Sequence, residues 1–143
     1  MEAVHKNGGF KMNKQYEQVK EFHKKFNHPF KDNPTLLTRE RAEVRKSWMD
    51  EELEEFIEAT EQGDIVEQAD AMIDLMYFAL GTLVEMGIEP DELFQIVQDA
   101  NMSKLWEDGK PHYREGDGKL IKSPSWEDPH DKLKCAIEKQ KNN

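Results

Sequence analysis

Apolar positions recur at steps of three and four along most of this chain, the spacing of amphipathic helices. Tyr16, Val19, Phe22 and Phe26 predict a first helix over about Lys14 to Phe26, with His23 beside the stripe as a packing residue. NHPFKDNPTLLT, Asn27 to Thr38, is dense in Pro, Asn and Asp and predicts a connecting loop. Thr38 offers an N-cap for a second helix over about Arg39 to Gln62, with Val44, Trp48 or Met49, Leu53, Phe56 and Ile57 as its apolar side. Gly63 ends it and Asp64 caps the next, so the two must run antiparallel.

That third helix, Ile65 to Met86, is apolar almost all the way round apart from one stripe. Glu67, Asp70 and Asp74 lie along it, followed by Gly81 and Glu85. A helix of this kind belongs in a core or an interface. Carboxylates there cost on the order of several kcal/mol each unless a cation or hydrogen bonds compensate them. The stripe therefore requires a counter-charge.

Pro90, Asp91 and Glu92 open a fourth helix, with Leu93, Ile96, Val97, Ala100 and Leu105 on its core side. After Trp106 the periodicity stops. REGDGKL suggests a small hairpin within a Gly- and Pro-rich loop, and HDKLKCAIEKQKNN a short helix before a polar tail. The expectation is an all-α antiparallel bundle of four to five helices with a C-terminal loop or small hairpin, completed by dimerisation. Residues 1–13 are expected to form a flexible arm, 14–130 the domain and 131–143 a polar tail.

Composition narrows the function. A formal net charge of −10 argues against nucleic acid or an anionic membrane as the main partner. It leaves room for a nucleotide, because a divalent metal reverses the local sign of a carboxylate cluster. The single cysteine, Cys135, provides neither a disulfide framework nor a cysteine zinc site within one chain. No uncharged apolar run has the length of a membrane span and no signal-peptide core is evident, so a cytoplasmic location is expected.

A second acidic cluster, EELEEFIEA, begins at Glu51. In an antiparallel pair, Glu55 and Asp70 fall at similar distances from Gly63, roughly 11 Å from the hairpin tip, with Glu52 and Glu67 bracketing them. The plain alternatives are a solvated face for Glu51, Glu54, Glu55 and Glu58, and a capping-box role for Glu67. Asp70 and Asp74 resist such readings, since their neighbours on the helix are Ala71, Ile73, Tyr77 and Phe78. Several carboxylates without histidine favour Mg²⁺ or Mn²⁺ over zinc or copper. A di-iron Glu-x-x-His pair occurs only at Glu127 and His130, interrupted by Pro129, and no EF-hand loop is present. Lys104, Lys110, Arg114, Lys119 and Lys122 gather in and before the C-terminal loop, either as a solvated loop or as a basic flap for phosphates.

EELEE followed after eleven residues by EQAD resembles the E-E-x-x-E … E-x-x-D pattern of MazG-like, all-α nucleoside triphosphate pyrophosphohydrolases. VKEFHKKFNHP, ADAMIDLMYFALGTLVEMGI, NMSKL and the following DGK…GK…KSPSW resemble the phosphoribosyl-ATP-pyrophosphohydrolase-like branch, over roughly Tyr16 to Pro129. The resemblance implies Mg²⁺ (or Mn²⁺) held by Glu52, Glu55, Glu67 and Asp70, with Glu51 a further ligand or the group orienting the attacking water. It implies that Asp74 holds a second metal's water shell or contacts the nucleotide, that Asn101 and Lys104 face the substrate, and that Arg114 and Lys122 meet the phosphates. The reaction implied is hydrolysis of a (d)NTP to the monophosphate and pyrophosphate, in a homodimer or homotetramer. The alternatives are a non-catalytic acidic module binding a nucleotide or a protein, and a hydrolase of phosphoribosyl-ATP itself.

Overall fold

A computed structural model describes residues 11–141 of the chain. Among them are five helices and one short hairpin: α1 Lys11–Lys25, α2 Arg39–Gln62, α3 Ile65–Met86, α4 Asp91–Met102, β1 His112–Tyr113, β2 Leu120–Ile121 and α5 His130–Lys141. The fold is all-α, as the periodicity predicts. α1 begins three residues before the expected start, and most of the expected N-terminal arm lies outside the described residues. No single helix among the described residues is long and apolar enough to cross a membrane. The chain divides into two compact units, Lys11–Pro90 and a second running from Asp91 onwards.

Local chemistry sets the ends of α2 and α3. The Thr38 side chain accepts from the Arg41 N–H at 3.2 Å, supplying one of the partners a helix start lacks. Gly63 closes α2 in the left-handed region at φ 67°, and its N–H bonds the carbonyls of Ala59 and Thr60. The Asp64 side chain accepts from the N–H groups of Val66 and Glu67 at 3.0 and 3.1 Å. The N–H of Asp64 bonds Ala59 O at 2.9 Å, so Glu67 does not close a capping box with it. This one-glycine turn folds α3 back along α2, and α1 packs against α3.

The loop after α1 is stitched to the far end of α3, where Lys31 N bonds Val84 O at 3.1 Å and Thr35 N bonds Met86 O at 2.8 Å. Gly87 is required at that end. Its φ is +67°, and a Cβ there would collide with the Asn33 backbone carbonyl.

The core of this first unit is Tyr16, Val19, Leu80 and Val84, with Leu83 packed against it. The apolar side expected for α2 is covered only in part. Trp48, Met49 and Phe56 are half-buried, while Val44, Leu53 and Ile57 are exposed. The buried positions of α2 are instead Arg45, Glu52 and Ala59, one per seven residues, the spacing of a helix–helix seam. On α3 too, Ile65, Val66, Ile73 and Met76 remain more than half exposed.

In the second unit, β1 and β2 pair antiparallel with His112 opposite Ile121 and Tyr113 opposite Leu120. The turn between them is the REGDGK stretch, close to the hairpin expected. Lys139 pairs with Glu92 at 2.7 Å, tying α5 to α4, and Ala136 is buried. The chain is therefore helical to Lys141, where the sequence suggested a short helix and a tail.

Candidate active site

Counting outward from Gly63, Glu52 and Asp74 stand eleven residues away on either side, and Arg45 and Gly81 eighteen. In an antiparallel pair these are facing levels, and the side chains behave accordingly. Burial pushes the Glu52 carboxyl up to about 7, helped by a hydrogen bond with Glu55 and by the charges of Glu55, Asp74 and Asp70. Burial also raises Asp74, followed by the charges of Asp70 and Glu55. Four carboxyl groups from two helices thus act on one another. Glu52 Oε2 is buried without a hydrogen-bond partner, which is costly for an acceptor removed from water.

Glu51 and Glu55 are exposed on α2, and Asp70 on α3. Glu67 is exposed in the first turn of α3, nearer the hairpin tip than the Glu52–Asp74 level. The structure therefore brings Glu52, Glu55, Asp70 and Asp74 together, with Asp74 rather than Glu67 level with Glu52.

A partly buried group of acids with an orphaned oxygen and no ion pair to a cation among the described residues fits a hard divalent ion, which takes oxygen ligands. Among the described residues, no three His, Cys, Asp or Glu side chains are already closed around a point that could hold one. Burial and the nearby acids Glu55, Asp74 and Asp70 instead favour the protonated form of Glu52. Ligation requires that proton to leave and the side chains to turn towards the ion.

The counter-charge required by the α3 stripe arrives at its other end. Glu85 is buried and receives Arg41 Nε at 2.6 Å, Arg41 Nη2 at 3.1 Å and Arg45 Nη1 at 3.0 Å. Arg45 also donates to Thr82 Oγ1 at 3.1 Å and to Phe78 O at 2.7 Å, and its guanidinium lies 5.1 Å from the Trp48 ring centroid. A Cβ on Gly81 would press into Arg45 Nη2 and lie 2.9 Å from His23 Nε2. His23 is buried, as a packing residue, with Nδ1 2.7 Å from Pro29 O. A carbonyl only accepts, so Nδ1 carries the proton, and burial holds the imidazole below its usual range. Neither Arg41 nor Arg45 stands out from the sequence as a partner of that stripe. The signal available was the requirement for a cation opposite Glu85.

In the second unit, Asn101 is exposed at the end of α4 and its Oδ1 accepts from Lys104 Nζ at 2.8 Å. Arg114 pairs with Asp117 across the hairpin turn, its Nε 3.0 Å from Asp117 Oδ1. Lys122 sits 3.9 Å over the Trp126 ring. A cavity of about 500 Å³ in this unit is lined by Trp106, His112, Asp108 and Ser123 among others, and none of the predicted carboxylates lines it. There Trp106 and His112 stack at 4.3 Å and Asp108 bonds His112 at 3.0 Å.

The sequence profile of the phosphoribosyl-ATP pyrophosphohydrolase family matches residues 19–101, and the chain belongs to that family. Among solved structures it is similar to a candidate NTP pyrophosphohydrolase from Exiguobacterium sp. 255-15, at 33% identity and a TM-score of 0.54, over 90% of this chain and 96% of that one. No curated protein matches it. The chain is a pyrophosphohydrolase-like protein.

Proposed function

We propose that this protein is a Mg²⁺-dependent nucleotide pyrophosphohydrolase that cleaves a nucleoside triphosphate between the α- and β-phosphates. The observation that carries the reading is the Glu52 carboxyl, buried among Glu55, Asp70 and Asp74 with one oxygen unpartnered. A pure binding surface gains nothing from four mutually repelling acids, which disfavours the non-catalytic module. Glu52, Glu55 and Asp70 would hold the cation, Glu67 would reach it from one turn nearer the tip, and Asp74 would hold its water shell or the nucleotide. A bound divalent ion supplies charge neutralisation at the phosphates and a more acidic water. Glu51, exposed beside these residues, would orient that water. The family resemblance implies that Asn101, Lys104, Arg114 and Lys122 meet the substrate and its phosphates.

The test is pyrophosphate release from a panel of canonical and modified NTPs and dNTPs with Mg²⁺ or Mn²⁺. Glu52→Gln and Asp70→Asn should each lower the rate at least about 100-fold. Full activity in both variants would discard the assigned site. Phosphoribosyl-ATP belongs in the same panel, because the matched family is named for it. Its preferential hydrolysis would replace the broader substrate class.

The assembly proposed is a homodimer or homotetramer. It is supported by the apolar side chains that one chain leaves in water, among them Leu53, Ile57, Ile73 and Met76.

A further inference from the structure

Resting on the reading of the carboxylate site as a triphosphate site, we propose that a cavity beside it in the first unit is a slot for the nucleobase. The cavity measures about 290 Å³, near the lower end for small-molecule pockets, and suits one ring system rather than a whole nucleotide. Phe22 of α1, Trp48 of α2, and Tyr77 and Phe78 of α3 supply aromatic walls, with His23 and Arg45 also lining it. Phe22 and Tyr77 meet edge to face at 5.8 Å, and Trp48 and Phe78 lie 5.9 Å apart.

The arginine and the buried carboxylate at this cavity are already matched, and this narrows the class of ligand. Arg45 is taken up by Glu85, Thr82 and the Phe78 carbonyl. His23 donates from Nδ1 to Pro29 O, and burial keeps it neutral. The one arginine is already compensated and a cation finds no free carboxylate, while His28, which also lines the cavity against Phe22 and His23, offers an imidazole edge to a ligand. What remains is flat aromatic surface, on which an uncharged heteroaromatic ring stacks whatever its sequence of edge groups.

Position ties the slot to the acids. Glu52 follows Trp48 by four residues and Asp74 precedes Phe78 by four. On both helices the slot is therefore one turn, about 6 Å, from the Glu52–Asp74 level. A pentose bridges such a gap between base and phosphates.

The probe is nucleosides, which carry no phosphate and need no metal. In a full-length Trp106→Phe, Trp126→Phe background, Trp48 is the sole fluorescent tryptophan. At least one of adenosine, guanosine, cytidine, uridine and thymidine should quench it saturably in the presence of EDTA. Tyr77→Ala and Phe22→Ala should each weaken that binding about tenfold, while Tyr77→Phe retains it. Circular dichroism and unfolding midpoints identify variants that keep the fold. With the triphosphate as substrate, the same alanine variants should raise KM about tenfold and leave inhibition by tripolyphosphate unchanged.

Absence of quenching by every nucleoside overturns the slot. So does unaltered nucleoside binding in both alanine variants, or their breaking of an oligomer with no effect on nucleosides, which would make the cavity an interface between copies. Pyrophosphate release with an unaltered KM in those variants removes the slot and leaves the catalytic reading. Nucleoside binding at Trp48 without hydrolysis of any triphosphate supports the slot and removes the catalytic reading alone.

Discussion

Glu52 holds its proton more tightly in the folded protein than in the unfolded chain, because burial and three acidic neighbours raise it from 4.5 to about 7. Between those values the native state binds more protons than the unfolded state, so stability falls as pH rises and levels off above about 7. In EDTA, urea unfolding should show the metal-free protein losing stability from pH 5 to pH 7.5. Glu52→Gln should flatten that slope and be more stable than the native protein at pH 8 by roughly 1–3 kcal/mol. Mg²⁺ should stabilise the native protein at pH 8 and do so far less in Glu52→Gln. An upward slope in EDTA would contradict the proposed burial of the acid. Glu85 shows the opposite solution to the same problem, since two arginines meet it and its oxygens are satisfied. Asp70 and Asp74 lie on the same helix stripe and face acids instead, and that contrast separates a neutralised carboxylate from those proposed to hold a cation.

The α2–α3 pair is fixed at its turn and clamped again near its other end. Asp64→Ala removes a cap accepting two N–H groups and should cost about 1 kcal/mol. Gly81→Ala presents a different difficulty. A guanidinium tip normally swings aside at little cost, but Arg45 is buried and held by three acceptors. We expect about 1–3 kcal/mol of destabilisation there, measured by chemical denaturation. Because Arg45 and Gly81 fix the level at which the helices face, pyrophosphate release should fall with it even where the fold survives. Unchanged stability and activity in Gly81→Ala would show that the clamp is slack. The hairpin, its caps and its tip were legible in the sequence because Thr38, Gly63 and Asp64 act on their immediate neighbours. The seam was not. Arg45, Glu52 and Ala59 share a heptad position but no common polarity, so a search for apolar periodicity selects Leu53, Phe56 and Ile57 instead.

At the scale of the whole molecule, the exposed apolar side chains of α2 and α3 make association the expected state. Light scattering should give at least twice the 16.8 kDa of one chain. Ile73→Glu, at a position 60% exposed in the single chain, should shift it towards the monomer with little loss of helicity. A native protein that is monomeric at micromolar concentration would remove the assembly proposed. The sequence by itself determined the all-α class, the caps that bound α2 and α3, and the presence of two acidic stripes, because these depend on spacing and on near neighbours. It also carried the family resemblance. Only the tertiary structure decided which acids meet. The stripe on Ile65–Met86 divides into Glu85, neutralised by Arg41 and Arg45, and Asp70 with Asp74, set against Glu52 and Glu55. Periodicity gives each side chain a direction about its own helix. Which charge it then meets, and whether water is excluded from the pair, depends on the level at which a second helix packs against it.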